Sequence, residues 1–214
     1  MNINYDDAKQ AWLERMEQFS SASREDPWLN KKSLDAYRHF RMRFPLKFLI
    51  NSDQTFLTLG DGRYGSDAQF IIEAGGNVHA SDLDSTLLEL AAGKGLINTY
   101  SAQNAEDLDF SDNSFDYVVI KEALHHFPRP YLALYESFRV CRLGVILIEP
   151  TDPPRKAIMR ILKDIMNSFL RKKVRFQSDF GFEPAGNFVY TLSIRELQKF
   201  LLLRQQVFIN IVVQ

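Results

Sequence analysis

A short apolar run, Thr55 to Leu59, breaks at once into Gly60-Asp61-Gly62-Arg63-Tyr64-Gly65, and this junction constrains the fold more than any other stretch of the chain. A five-residue run of this kind reads as a buried strand. Glycines directly after a strand let the backbone turn tightly and approach a ligand, because Gly60 and Gly62 lack a Cβ. The spacing Gly60-x-Gly62-x-x-Gly65 fits the dinucleotide fingerprint, yet several other nucleotide-type ligands use nearly the same turn.

The segments downstream repeat the pattern. Strand signals at 77–81, 97–102, 115–120 and 144–149 alternate with helical ones at 67–73, 84–93 and 130–141. This alternation predicts an α/β fold, a Rossmann-like doubly wound and mainly parallel sheet with helices on both faces. Ligands of such sheets sit at the carboxyl ends of the strands. Upstream, Ala8, Trp12, Met16 and Phe19 recur at helical spacing. A second helical stripe follows with Leu34, Tyr37, Phe40, Arg41 and Phe44, which Pro45 bends or ends. Beyond Glu149-Pro150, residues Ile158, Ile161, Leu162, Ile165 and Phe169 share one helical face. Ser193-Ile194-Arg195-Glu196 is a capping-box pattern that opens a helix to about Leu203, and "VFINIVV" closes the sequence as a strand. The chain therefore divides into an N-terminal helical cap (1–54), a core (55–150), a basic cap insertion after strand five (151–192) and the core's last helix and strand (193–214), all within one domain.

Composition narrows the partners. Residues 56–150 hold 6 Lys and Arg against 14 Asp and Glu, whereas residues 151–175 hold 8 against 2. An acidic core is not a nucleic-acid surface. The basic segment reads as a solvated lid face, or as a site for an anionic acceptor or a weak peripheral membrane contact through 155–173. One cysteine, Cys141, excludes an intrachain disulfide. With no secretory pattern at the N-terminus, the expected setting is cytoplasmic. Oligomeric state is not readable.

A ribose needs an acceptor at the end of the second strand, and Asp82 stands there, 22 positions beyond Gly60. Capping of the following helix is the alternative use of that carboxylate. A nicotinamide cofactor would use both features. Tyr117 and Lys121 have the four-residue spacing of a short-chain dehydrogenase pair. They lie on a strand, however, where four residues span ~13 Å, and that reading fails.

The stretch after strand three separates the remaining readings. Asn104-Ala105-Glu106, Leu108-Asp109-Phe110, Ser114-Phe115-Asp116 and Leu124-His125-His126 follow in the order and register of the class I S-adenosylmethionine-dependent methyltransferases of the type 11 kind, which residues 55–150 resemble. The resemblance implies a methyltransferase with S-adenosylmethionine as cofactor and S-adenosylhomocysteine as product. It implies cofactor contacts from Gly60, Asp61, Gly62 and Gly65 in the turn, from Asp82 and Leu83, from Asn104, Ala105 and Glu106, and from the backbone at Lys121 and Glu122. The chain departs from the family at Thr58, where an acid is common, and at Asp61, where a small residue is usual. Tyr64 stands in place of a third glycine, and Asn104 in place of an aspartate facing adenine. The family's closing hairpin strand is also missing after "VFINIVVQ", as in a truncated chain or a sheet with fewer strands. No metal ligand set stands out.

The expected reaction is methylation of a small molecule, an O-methylation of a sugar or related metabolite. Its candidate base is His126, with His125 and Glu149 beside it, because imidazole takes a proton near neutral pH. The rival readings are a catalytically silent binding module and an NAD(P)-dependent oxidoreductase.

Overall fold

The structure, a computed structural model, describes residues 34–150, 181–182, 188–189, 192–201 and 207–213. The helix expected near the N-terminus and the basic helix of 155–173 lie outside these residues.

Among the described residues the first element is helix α1 (Leu34–Arg43), which runs into a 3-10 turn over Phe44–Phe48 with Pro45 in its first turn. The alternation then unfolds as expected: β1 (Thr55–Leu59), α2 (Ser66–Glu73), β2 (Asn77–Asp82), α3 (Thr86–Gly93), β3 (Thr99–Ala102), β4 (Phe115–Lys121), α4 (Pro130–Val140) and β5 (Cys141–Pro150). A short antiparallel pair, β6 (Gly181–Phe182) with β7 (Phe188–Val189), precedes α5 (Ile194–Leu201) and β8 (Val207–Val213). The capping box at Ser193 forms as the sequence predicts, Glu196 N–H donating to Ser193 Oγ and Ser193 N–H to Glu196 Oε2.

The main sheet has the order β3-β2-β1-β4-β5-β8, every pairing parallel. The connection from β3 to β4 carries the chain back past β2 and β1, so β1 and β4 flank the point where the winding reverses, the usual place for a ligand crevice. β5 begins three residues before its expected start. Its first residue, Cys141, pairs with Phe115 across a register shift, and α4 passes into it without a loop. Arg142 fixes this start by donating to Asp116 Oδ1 at 3.0 Å, while Asp116 Oδ2 also accepts from Thr55 at the foot of β1.

The core strands are apolar on both faces, as a parallel sheet covered on both sides requires. Leu57, Leu59, Val118, Ile120, Val145 and Leu147 face α4 and α5, packing on Leu134, Phe138 and Phe200. Phe56, Val119, Ile146 and Ile148 face the other way, toward Met42, Leu46, Phe70 and Ile71. α1 and α2 therefore cover the face opposite α4 and α5.

The stripe on α1 corrects the sequence reading. Tyr37, Phe40 and Phe44 are exposed, and the buried residues of this segment are His39, Met42 and Leu46. Apolar periodicity alone chose the aromatic face, but ion pairs described below draw the opposite face inward.

Truncating either of two fully buried strand residues, Ile120→Ala or Leu147→Ala, is expected to cost about 2–5 kcal/mol in denaturant unfolding. Leu143→Ala, on a half-exposed residue of β5, is expected to cost less than about 1 kcal/mol. Equal losses at Leu143 and Leu147 would show that burial along β5 is misassigned.

Candidate active site

The strand register brings the sequence-predicted residues into one row. Leu59 pairs with Ser81 on one side and with Ile120 on the other. Gly60, the next residue, therefore lies between Asp82 and Lys121 at the carboxyl edge. Asp82 pairs in turn with Ala102, and Lys121 with Ile148. Asn104 is two residues beyond the first of these partners and Glu149 one beyond the second.

The glycine turn is held from inside by Asp61. Helix α2 has a left-handed glycine, Gly65 (φ +63°), as its N-cap and no cap from that residue. Asp61 supplies it from four residues upstream, Oδ1 accepting from Asp67 N–H at 3.0 Å and Oδ2 from Ala68 N–H at 2.9 Å. Thr58 Oγ1 donates to the same Oδ2 at 3.0 Å. Asp61 is 2% exposed, so these bonds replace water. Burial and the facing Asp67 push its carboxyl from the ordinary 3.8 up to about 7, against the two amides and Arg43. Asp67 goes the other way: burial opposes ionisation, but Lys121 and Arg43 overrule it and hold the carboxyl low.

Gly60 has φ +74°, and a Cβ there would lie 2.4 Å from the Ala123 Cβ, so β1 and the loop after β4 meet closely. Tyr64 takes the positive φ (+57°) that a third glycine would take more easily. Its buried ring, packed with Ala68, Leu87, Leu88 and Ile97, holds that conformation. Asp82 is buried; its Oδ1 accepts from Asp84 N–H at 3.3 Å. The helix-capping alternative belongs instead to Asp84, whose Oδ1 accepts from Thr86 N–H at 2.7 Å. Leu83 follows, half-buried, and Asn104 Oδ1 accepts from Glu106 N–H, folding Asn104, Ala105 and Glu106 into a turn.

Several expected ligand contacts are engaged within the protein. Glu106, buried, accepts at both oxygens from Arg129, its backbone N–H and its Nε, each at 2.6 Å. Lys121 is buried with Nζ 2.9 Å from His39 Nδ1 and 3.7 Å from Asp67 Oδ1. Glu122, at φ +49°, is bonded by Arg38 and lies 3.3 Å from His39 Nδ1. Arg43 bonds Asp67 and, through Nη2, Ser66 Oγ at 2.6 Å; Arg63 reaches His39 Nε2 at 2.6 Å. α1 is thus latched by charge onto the turn and the end of β4. Arg38, His39, Arg43, Arg63 and Asp67 did not emerge from the sequence. The available signal was the spacing of His39 and Arg43, one turn apart on the face opposite the aromatics.

The two histidines are not equivalent. His125 Nδ1 lies 2.5 Å from Glu149 Oε2, and Glu149 Oε1 accepts from Ala123 N–H and Leu124 N–H at 2.8 Å each. Glu149 is buried rather than solvated. His126 lies beside His125, ring centroids 4.1 Å apart and planes tilted by 44°, and its backbone N–H bonds Ala123 O. The carboxylate-backed imidazole is His125, where the sequence reading favours His126.

The residues fit an adenosine-bearing cofactor. A buried carboxylate lies beside the tight turn at the register position a ribose requires, and an amide acceptor follows just past the end of the next strand for an amino-substituted ring.

Because its native carboxyl lies above its unfolded value, Asp61 binds an extra proton in the folded state between pH 3.8 and about 7. Stability is expected to fall as pH rises through that window, and Asp61→Asn to flatten the slope in thermal melts. Asp67 acts below it, where acid removes stability. Thr58 and Asp61 are in side-chain contact, so a carboxylate at either position faces the other. Thr58→Asp alone sets two buried acids together and is expected to destabilise. Asp61→Ala should cost about 1–3 kcal/mol by orphaning two amides. The double variant T58D/D61A is expected to melt above both single variants; simple additivity would show that the two positions do not share a carboxylate.

The family described as a methyltransferase domain matches residues 57–148. Curated relatives include a ubiquinone/menaquinone biosynthesis C-methyltransferase of Sinorhizobium fredii, 39% identical over 92 residues, 39% of this chain and 36% of that protein. Phosphoethanolamine N-methyltransferase 2 of Caenorhabditis elegans is 38% identical over 80 residues, 35% of this chain and 18% of that protein. These matches span less than half the length of the curated relatives. Among solved structures, Burkholderia thailandensis 1,6-didemethyltoxoflavin-N1-methyltransferase, bound to its substrate and S-adenosylhomocysteine, superposes with TM-score 0.61 at 14% identity, over 95% of this chain and 80% of that one. The YcgJ protein of Bacillus subtilis gives 0.57 at 22% identity, over 77% and 67%. Residues 57–148 thus match the methyltransferase-domain family, and the curated relatives and the solved structure with bound S-adenosylhomocysteine that resemble this chain are methyltransferases.

Proposed function

We propose that this chain transfers the methyl group of S-adenosylmethionine to a hydroxyl of a small molecule, a sugar or related metabolite. The observation that carries the reading is the row Asp82–Gly60–Lys121 at the strand ends with the His125–Glu149 pair at its side. The sulfonium supplies a methyl on an already activated leaving group, so the protein's work is alignment and exclusion of water. Asp82 holds the ribose hydroxyls, the turn at Gly60 and Gly62 lets the backbone approach, and Asn104 accepts from the adenine amino group. Leu83, Ala105 and the backbone at Lys121 and Glu122 complete the lining.

A hydroxyl acceptor must lose its proton. His125 takes it, and Glu149, fixed by two backbone amides, orients the imidazole and stabilises its charged form. The relatives' names span carbon and nitrogen acceptors, so the choice of oxygen rests on this histidine alone.

In calorimetry, S-adenosylhomocysteine is expected to bind and NADH not to bind, with Asp82→Ala abolishing the former. In turnover assays over a panel of acceptors read by methyl mass gain, His125→Ala is expected to lower kcat by roughly 10²–10⁴-fold while retaining S-adenosylhomocysteine binding, and His126→Ala by far less. NADH binding would favour an oxidoreductase. S-adenosylhomocysteine binding without any turnover would leave a silent binding module, and loss at His126 alone would reassign the base.

A further inference from the structure

The outer face of α1 and its 3-10 extension carries a row of rings with nothing of the described protein over it. Tyr37, Phe40, Phe44 and Phe48 are 59%, 49%, 45% and 80% exposed, although together they cover only three turns of chain. Among the described residues the other large exposed apolar side chains, Leu90, Leu132, Tyr135 and Leu143, are spread over α3, α4 and β5. Phe40, Phe44 and Phe48 form one ladder, with centroids 6.1 and 5.8 Å apart, and Phe40 continues it inward to Phe70 at 6.1 Å. A side chain at each of these positions could have been polar without loss to the core, because Met42 and Leu46 already bury the inner face.

Charge identifies what the ladder fits. From Ala36 to Ser52 the sequence has four cations, Arg38, Arg41, Arg43 and Lys47, and no acid, with Asp35 and Asp53 standing just outside that stretch. Arg43 is turned inward to Asp67 and Arg38 to Glu122, while Arg41 and Lys47 are exposed on the flanks of the rings. Exposed aromatics with cations between and beside them, and no acid from Tyr37 to Phe48, match the acyl boundary and phosphates of an anionic bilayer. A self-complementary contact between two copies would set these cations against each other.

We propose that Tyr37–Phe48 is a lipid-docking surface that seats the protein on anionic membranes. The rings enter the headgroup–acyl boundary and Arg41 and Lys47 meet the phosphates, the helix lying in the membrane plane. The surface is separate from the proposed transfer chemistry and does not depend on it.

The test is flotation of the full chain with phosphatidylcholine vesicles, with and without phosphatidylglycerol, at low and high salt. Binding is expected on the anionic vesicles, weakened by salt and absent on neutral ones. F44S/F48S and R41E/K47E should each lower the bound fraction about tenfold while circular dichroism and S-adenosylhomocysteine binding stay unchanged. No binding by the wild type would overturn the proposal. So would binding that both variants retain, which would point to the basic 155–173 segment, and so would a wild-type dimer that the variants convert to monomer.

Discussion

The buried carboxylate of Asp61 is the constraint on which the rest of this site depends. It lies where β1 turns into α2 and accepts from two amides of that helix's first turn and from Thr58 within the strand. Without it the helix would begin at a left-handed glycine with no side-chain acceptor, and the turn would have no internal reason to keep its shape. The carboxyl is costly to ionise in so buried a place, which the facing Asp67 worsens. The protein accepts that cost because the alternative is two buried amides without partners. The hydroxyl at 58 and the carboxylate at 61 are in direct contact, so the strand and the turn share a single buried acid.

Asp67 couples this turn to α1. Its first-turn carboxylate is bonded by Arg43 and lies close to Lys121 at the end of β4, so the turn, the helix and the neighbouring strand share one charge network. Glu122 closes the network from the other side through Arg38 and His39, in a left-handed conformation unusual for its residue type. Strain of that kind persists where surrounding contacts over-determine it. α1 consequently has two unlike faces, one ionic and turned to the strand ends, the other aromatic and open. Binding at a lipid surface through the second face would lie one helix diameter from the first.

Much of the fold was legible because it rests on local chemistry. The β1–α2 junction, the alternation through Pro150 and the capping box at Ser193 follow from apolar periodicity and cap residues, and each forms within a few residues of its expected bounds. The start of β5 shifted because an ion pair, Arg142 with Asp116, joins residues 26 apart in sequence. The same limit applies to α1. Periodicity measures apolar spacing, and there it selected the aromatic stripe; the burial of His39 and Arg43's face is decided by partners from Asp67 to Glu122 that no window around residue 40 contains.

The histidine pair shows how register decides what adjacency cannot. His125 and His126 are equivalent by composition and both follow β4 within a few residues. Glu149 lies one residue past Ile148, which pairs with Lys121, so its carboxylate emerges beside the start of the loop. It there meets the amides of Ala123 and Leu124 first, and only the next side chain, His125, falls within reach of its second oxygen. The distinction between the two imidazoles is thus set by the parallel pairing of β4 with β5. Any displacement of that register would separate the acid from the base, and the same displacement would carry Lys121 away from Gly60.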